Sequence, residues 1–300
     1  KADEALKAAE IALKQGASFI DINCACPIDE VIKKGLGAAM LQRPKRIVEI
    51  VESLSKNLAV PITVKLRIGW DEEHINIAEV AKMLEAAGAT ALIIHGRTRA
   101  QRYTKAANWE LIKSVAADLS IPVLGNGDIL TWYEAEDRKV QSGVLGVVLA
   151  RGALISPWLF SEIKNGGSKE ITPKERVSVY FKLSSYMKEH FGDDELGRRR
   201  IMSFLPWHFD FFCRYRHFPM AEYRSLANEY PLMQRREEKL VYSHNLERVL
   251  ACTEEILHGM IASELLDSTC DDEAAQRVEA LIWKVPDIGK DAEAPMPEES

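Results

Sequence analysis

The residue best suited to acid–base chemistry in this chain is a cysteine that follows a short apolar run. Cys26 comes after Phe19–Asn23 and directly before Pro27. A thiol is mostly protonated near neutral pH, so Cys26 is a candidate proton donor, nucleophile or metal ligand. The competing interpretation is a small buried hydrophobe, which is the usual fate of a free cysteine. Cys24 fits that description better, and Cys-x-Cys without a further Cys or His cluster is poor zinc spacing, so we expect no metal site.

Basic side chains end the next two apolar runs. Lys65 and Arg67 are two residues apart, which puts them on the same side of a strand, and His95 ends the following run. A buried lysine is costly without an anion or a polar partner, so Lys65 is expected to face the polar edge of a cofactor, with His95 beside it. The alternatives are a lysine that reaches solvent at the rim and a histidine satisfied within the core.

Glycine-containing turns end the last two apolar runs. Asn126-Gly127-Asp128 follows one run, and Ala150-Arg151-Gly152 follows the other. In βα barrels, phosphate groups commonly bind at this place, on backbone N–H groups and a short helix N-terminus. Ordinary glycine turns before helices are the alternative.

The elements that must position these residues alternate along the first half of the chain. Five apolar runs begin about 30 residues apart, with amphipathic stretches between them, which is typical of βα units with parallel strands. The runs are Phe19–Asn23, Ile62–Leu66, Ala91–Ile94, Pro122–Leu124 and Val144–Leu149. Because reactive groups follow all five runs, we predict an α/β fold of the TIM-type (β/α)8 barrel class rather than an open doubly wound sheet. Five units leave about three barrel units outside this chain, so an N-terminally truncated barrel is expected.

The pattern changes after Pro157, where helical periodicity replaces strand alternation. We predict a partial barrel over residues 1–165, a helical domain over 166–285 and an acidic, disordered tail over 286–300. The predicted helices of the second domain are Pro173–Glu189, Gly197–Tyr215, Met220–Asn228, Gln234–Tyr242 and Leu246–His258.

The net charge of −6 is a property of the C-terminal region. Residues 264–300 hold eleven acidic and three basic residues, a balance of −8, so the rest of the chain carries +2. Two stretches concentrate the bases: 95–105, with Arg97, Arg99 and Arg102, and 197–236, with eight arginines, three acids and nine aromatics. Arginines interleaved with aromatics are typical of RNA-binding surfaces, although a helical core with a solvated face has the same composition.

Composition also sets limits on the location of the protein. No apolar run approaches the roughly 20 residues that span a bilayer, so no membrane partner is expected. Five cysteines without a paired framework favour a reducing compartment, and we expect the cytoplasm, the nucleus or both. The composition leaves the oligomeric state open.

Six motifs together resemble those of the tRNA-dihydrouridine synthases. They are Asp21-Ile-Asn-Cys-Ala-Cys-Pro-Ile-Asp29, Lys34-Gly-Leu-Gly-Ala-Ala-Met-Leu41, Val64-Lys-Leu-Arg67, His95-Gly-Arg-Thr-Arg99, Gly125-Asn-Gly-Asp-Ile129 and Ala150-Arg-Gly-Ala153. The resemblance covers residues 1–165 strongly and the helical domain more loosely, and 101–105 with 153–163 look most like the eukaryotic branch that acts on uridine 47. Ala25 stands where family members usually have glycine.

The resemblance implies an FMN enzyme that reduces uridine to dihydrouridine in tRNA, with NADPH as the reductant. Hydride would pass from flavin N5 to C6, and Cys26 would protonate C5. The implied cofactor contacts are Lys65, His95, Asn126, Gly127, Asp128, Ala150, Arg151 and Gly152. The implied substrate contacts are Asn23, Arg67, Arg97, Arg99 and Arg102. Two alternatives remain: an FMN barrel oxidoreductase acting on a small pyrimidine-like substrate, and a flavin-free remnant that only binds RNA.

Overall fold

The computed structural model describes residues 1–235, 242 and 244–285. Its strands are β1 (Ile20–Cys24), β2 (Ile62–Gly69), β3 (Ala91–Thr98), β4 (Val123–Asn126) and β5 (Gly146–Val148). Its helices are α1 (Ala2–Lys14), α2 (Asp29–Lys33), α3 (Pro44–Asn57), α4 (Ile77–Ala86), α5 (Trp109–Asp118), α6 (Trp132–Ser142), α7 (Arg151–Ile155), α8 (Leu159–Asn165), α9 (Pro173–Phe191), α10 (Glu195–Met202), α11 (Leu205–Phe212), α12 (Met220–Glu229), α13 (Asn245–Leu250), α14 (Glu255–Asp267) and α15 (Asp271–Glu279). Short 3₁₀ helices span Gly37–Gln42, Leu232–Gln234 and Ala280–Lys284.

The five strands form one parallel sheet in the order of the chain, from β1 to β5. Asn23 lies opposite Lys65, and Arg67 lies opposite His95, which in turn lies opposite Asn126. The predicted α/β fold with consecutive parallel strands is therefore confirmed, and the strand ends meet at one edge of the sheet.

The two faces of the sheet differ in burial. Val64, Leu66, Leu92 and Ile94 are completely buried against the helices, where they pack with the apolar side chains of α3 to α5. In α3 these are Ile47, Val51 and Leu54, spaced at one face of a helix that Pro44 begins. The alternate residues Thr63 and Lys65 lie on the opposite face and are only half-buried. The strand period thus separates a helix-covered core from a more polar face.

The described residues fall into two compact units whose bounds differ from the predicted ones. The first unit contains 1–153, 158–168 and 218–235, and the second contains 154–157, 169–217 and the described residues from 242 onward. The sequence pattern predicts residues 218–235 within the helical domain. They join the sheet-containing unit because Phe218 and Leu232 pack on Tyr133 of α6, and Arg224 of α12 binds Asp137 of α6. Helical periodicity in a sequence does not show which other elements the helix will pack against.

The described residues of the second unit are helical. Tyr180 of α9 packs against Phe209 and Phe212 of α11 in its interior. The helix predicted over Gly197–Tyr215 is instead two helices, α10 and α11, because Pro206 begins a new helix and cannot continue the first.

Two predicted features fall wholly or mostly outside the described residues. One is the acidic tail 286–300, and the other is most of the helix Gln234–Tyr242, including Arg236. None of the described helices has the length and apolar character that crossing a membrane requires.

Candidate active site

The loop after β1 holds Cys26 by hydrogen bonds on both sides. The Asn23 side-chain oxygen accepts hydrogen bonds from the backbone N–H groups of Ala25 and Cys26, both at 3.0 Å. The Cys26 carbonyl in turn accepts from the backbone N–H of Ala38 at 2.9 Å. Asn23 was predicted to bind substrate, and here it shapes an Asx-type turn that presents the thiol. Cys26 is half-buried, whereas Cys24 is completely buried and burial raises the pKa of its thiol to about 12.

Gly37 allows the chain to close over Cys26. Its φ is +59°, and a Cβ placed there would lie 2.6 Å from the Cys26 carbonyl oxygen and 3.1 Å from the Cys26 Cβ. Only glycine fits both the conformation and the space. Ala25, in contrast, does not adopt a positive φ, so the alanine in place of the family's glycine leaves the loop unstrained.

Arg67 joins this loop to the one that follows β3. Its Nε donates to the Ala25 carbonyl at 2.8 Å, and its Nη1 donates to the carbonyls of Thr98 at 2.9 Å and Arg102 at 3.4 Å. The side chain is buried, and burial lowers its pKa to about 10. Arg67 was predicted as a substrate contact, and the structure gives it a positioning role, because its hydrogen bonds go to the backbone of two site loops.

Lys65 and Asn126 connect three strand ends. The Lys65 ammonium donates to Asn126 Oδ1 at 3.1 Å, and Asn126 Nδ2 donates to the Val148 carbonyl at 2.6 Å. Burial, helped by the nearby Arg67 charge, lowers the pKa of Lys65 to about 8. Lys65 therefore keeps its charge near neutral pH, although it holds the proton more weakly than an ordinary lysine does. An anionic partner would stabilise the charged form.

His95 is the buried titratable group at the end of β3. Burial lowers its pKa well below the ordinary value, and the positive charges of Arg67, Arg97 and Lys65 act in the same direction. Neither ring nitrogen has a hydrogen-bond partner with good geometry among the described residues, although Asn126 is near enough to affect the pKa. A neutral imidazole with unused hydrogen-bonding capacity is suited to a ligand placed against it.

Arg97 and Asp128 form a completely buried ion pair. Arg97 Nη2 lies 2.7 and 2.5 Å from the two carboxylate oxygens, and the backbone N–H of Ala107 donates to the same carboxylate at 2.8 Å. Arg97 also donates to the Lys105 carbonyl. The predicted substrate contact of Arg97 needs correction, because its guanidinium has no exposed surface for RNA. Asp128, predicted to bind cofactor, pairs its carboxylate with Arg97 and accepts from the Ala107 N–H.

Arg99 and Arg102 meet at Asp29. Their Nη2 atoms lie 2.5 and 3.3 Å from the Asp29 carboxylate, and the Arg99 guanidinium lies over the Trp70 ring at 5.0 Å. Both side chains remain partly exposed, so they are the arginines of this loop that stay accessible to a substrate.

A small, partly open cavity lies among these strand ends. Its lining includes predicted cofactor contacts, namely His95, Asn126, Gly127, Asp128, Ala150, Arg151 and Gly152. A Cβ on Gly152 would lie 2.0 Å from the Ile129 carbonyl, so this glycine lets α7 begin close against the neighbouring loop. Lys65 is not part of the lining but reaches it through Asn126.

Three lining or neighbouring residues were not predicted from the sequence. Tyr103 lines the cavity, and the Arg151 guanidinium lies 4.1 Å from the centre of its ring. Met233 also lines it, and Gln234 binds Asp128. Tyr103 lies within the basic stretch 95–105, so an aromatic residue near the site could be expected there. No sequence motif marks residues 233 and 234 as site residues, because only tertiary packing brings them to the strand ends.

The lining fits a polar, anionic cofactor. It contains Arg97 and Arg151 against the single carboxylate of Asp128, and both His95 nitrogens and Arg97 Nη1 are buried without hydrogen-bond partners in the described part of the chain. Buried polar atoms without partners are costly, so such atoms in a cavity wall indicate a ligand that binds them. Across residues 1–235, 242 and 244–285, no three His, Cys, Asp or Glu side chains cluster as metal ligands would.

The fold and the site together define an α/β protein of the barrel class, with a cation-rich pocket and a cysteine loop at the strand ends. Residues 1–249 match the family model described as dihydrouridine synthase. The chain belongs to that family.

Curated relatives agree with this assignment. A Xenopus laevis protein named tRNA-dihydrouridine(47) synthase [NAD(P)(+)]-like is 44% identical over 199 residues, which cover 66% of this chain and 31% of that protein. The Homo sapiens protein of the same name is 42% identical over 199 residues, covering 66% and 30%. A Rhodobacter capsulatus protein named probable tRNA-dihydrouridine synthase is 38% identical over 208 residues, covering 67% and 64%. The chain therefore spans about a third of the length of its vertebrate relatives. The predicted family and branch are confirmed.

Proposed function

We propose that this site reduces uridine to dihydrouridine in tRNA, with FMN as its cofactor and NADPH as the reductant. The observation that carries the proposal is that the Cys26 loop and a cavity with cationic groups and unpaired buried nitrogens lie at the same edge of the sheet. Family membership and the names of the relatives support the same reaction.

The residues around the cavity would hold FMN from two ends. Lys65 and His95 suit the ring, since a cation and a neutral imidazole can bind its polar edge. The phosphate would bind near Asn126, Gly127, Ala150, Arg151 and Gly152, which line the cavity. When bound and reduced, the flavin supplies a hydride for C6 of the uracil ring.

The protein supplies the matching proton. The Cys26 thiol would donate its proton to C5 of the uracil ring, so that hydride and proton together saturate the C5–C6 bond. Asn23 and Arg67 hold the loop that carries this thiol, and both are positioning residues. Cys24 cannot take over this role, because it is completely buried and its pKa is raised to about 12.

Two surfaces are candidates for binding tRNA. Arg99 and Arg102 keep part of their side chains exposed beside the Cys26 loop. In the helical unit, Trp207 is 54% and Phe204 38% exposed, and Arg200 of the neighbouring α10 is exposed as well. Exposed aromatics with arginine suit unpaired bases and phosphates. We assign this unit to tRNA binding.

The test measures FMN binding and dihydrouridine formation together. Because the chain spans a third of its vertebrate relatives, both this chain and the complete reading frame that encodes it are purified and given FMN, NADPH and unmodified tRNA. We expect FMN to bind and dihydrouridine to form in tRNA, as detected by mass spectrometry. Reduction of free uridine at a similar rate would favour a small substrate instead, and absence of both FMN binding and product would refute the proposal.

A further inference from the structure

A short segment far along the chain reaches the candidate active site. Residues 231–235, here called the strap, contain the 3₁₀ helix Leu232–Gln234 and belong to the same compact unit as the sheet. The strap follows α12 and contacts α6 and two of the loops that surround the cavity.

The strap is anchored near its beginning by Leu232, which is buried against α6. Leu232 is buried with Tyr133 and Phe218, and its backbone N–H donates to Glu134 Oε1 at 3.1 Å. The other Glu134 oxygen accepts hydrogen bonds from the backbone N–H groups of Leu130 and Thr131, in the capping box that starts α6. One buried carboxylate therefore fixes both the beginning of α6 and the beginning of the strap.

The strap ends by joining two walls of the cavity. The Gln234 side-chain amide donates to the Tyr103 carbonyl at 3.2 Å and to Asp128 Oδ1 at 3.3 Å. Tyr103 belongs to the loop after β3, and Asp128 belongs to the loop after β4. Between the two ends of the strap, Met233 lines the cavity together with His95 and Arg151.

A glutamine side chain suits position 234, next to the buried Asp128 carboxylate. Asp128 is completely buried and already pairs with Arg97, with Arg151 Nη2 at 3.4 Å. An amide adds a hydrogen bond to this carboxylate without adding a third positive charge, and it is long enough to reach a backbone carbonyl on a different loop.

We propose that the strap is a part of the cofactor site that no motif of the chain indicates. Gln234 is a positioning residue that holds the Tyr103 and Asp128 loops at the spacing FMN needs, and Met233 contacts the bound cofactor. This inference rests on the proposed function, since it takes FMN as the occupant of the cavity.

The first experiment measures FMN affinity by quenching of flavin fluorescence. Gln234→Ala and Met233→Ala are compared with the wild-type chain and with two matched controls in the same unit, Gln141→Ala and Met220→Ala, whose side chains are exposed and outside the cavity lining. We expect Gln234→Ala to weaken FMN binding about tenfold, as the loss of hydrogen bonds to a charged group would, and Met233→Ala to weaken it severalfold. Both controls should stay within about twofold of the wild-type affinity.

The second experiment needs no cofactor. The loop that Gln234 holds contains the trypsin sites Arg99, Arg102 and Lys105. In FMN-free protein, Gln234→Ala should accelerate cleavage at these sites and leave cleavage after Lys56, at the end of α3, unchanged. A general loss of stability would accelerate cleavage at all four sites and lower the urea midpoint.

Each outcome of these two experiments either supports the strap as part of the cofactor site or overturns it. Equal FMN affinity and equal loop cleavage in Gln234→Ala would overturn the role of Gln234. If that variant is generally destabilised, Met233→Ala decides, because it removes no hydrogen bond, and unchanged affinity there would overturn the strap as a cofactor contact. If the complete reading frame that encodes the wild-type chain also binds no FMN, the proposed function itself is refuted, which separates that failure from failure of the strap alone.

Discussion

Lys65 is half-buried and His95 is buried, and the surroundings of both bases favour their neutral forms. Burial lowers both pKa values, and Arg67 acts on each in the same direction. In the absence of an anionic ligand, the Lys65 charge therefore costs the folded state free energy. A charged side chain that lowers the stability of the folded state at a strand end is typical of a binding site rather than of a structural core.

This cost predicts how stability changes with pH. The pKa of Lys65 is about 8 in the folded chain, against 10.5 for an ordinary lysine. Between these values the unfolded chain holds more protons, so this group makes the free energy of unfolding rise as pH rises from about 8 to 10.5. Lys65→Met should remove that rise and stabilise the FMN-free chain near pH 7, as measured by urea denaturation at several pH values. Identical slopes in both proteins would contradict the assignment.

The loop between β1 and the 3₁₀ helix Gly37–Gln42 is the element on which the thiol depends. It is held by Asn23, by Arg67 and by the close approach of Gly37 to the Cys26 carbonyl. These three contacts come from three separate parts of the sequence, so the loop is fixed from several directions.

Gly37→Ala tests this loop directly. The added Cβ would meet the Cys26 carbonyl at 2.6 Å in a conformation that disfavours side chains, so we expect a loss of about 1 to 3 kcal/mol in stability and a displaced thiol. The rate of Cys26 alkylation should change, whereas Gly166→Ala, at a left-handed C-cap with open space around it, should lose comparable backbone energy without changing that rate. Equal alkylation rates in both variants would contradict the role of Gly37.

Sequence patterns predicted the strands well, for a physical reason. All five predicted apolar runs became strands, and parallel strands necessarily bring their ends together, so Lys65, His95 and Asn126 meet as expected. The burial of Arg97 could not be predicted, since it depends on Asp128, which lies 31 residues away in the sequence. The strap and the place of 218–235 were missed because they depend on tertiary packing, which leaves no local pattern.

At the scale of the molecule, many arginines of the helical unit are already neutralised. On α10, Arg198 pairs with Asp193 and Asp267, and Arg199 pairs with Glu195. Arg200 is exposed and has no carboxylate partner among the described residues. The basic composition of this stretch therefore overstates the charge that is available to RNA.

This difference predicts which arginines contribute to tRNA affinity. The logarithm of the tRNA association constant falls linearly with the logarithm of the salt concentration. Arg200→Ala should make this slope less steep by about 0.7 to 0.9, since one phosphate contact is lost. Arg224→Ala should leave the slope unchanged, because Arg224 is engaged with Asp137 and Glu136. Filter binding of tRNA at several salt concentrations measures both slopes. Equal slopes in the wild-type protein and in Arg200→Ala would show that tRNA does not use α10.

We propose that the loop after β1 places one particular thiol, that of Cys26, to protonate uracil. Cys26→Ala and Cys24→Ala remove neighbouring thiols of opposite environments, one half-buried in the loop and one completely buried in the core. Dihydrouridine formation in tRNA is measured by mass spectrometry for both variants, in the reading frame that encodes the chain and at saturating NADPH. The structure predicts loss of product for Cys26→Ala and retention of product for Cys24→Ala. Undiminished product with Cys26→Ala would contradict the assignment of Cys26 as the acid.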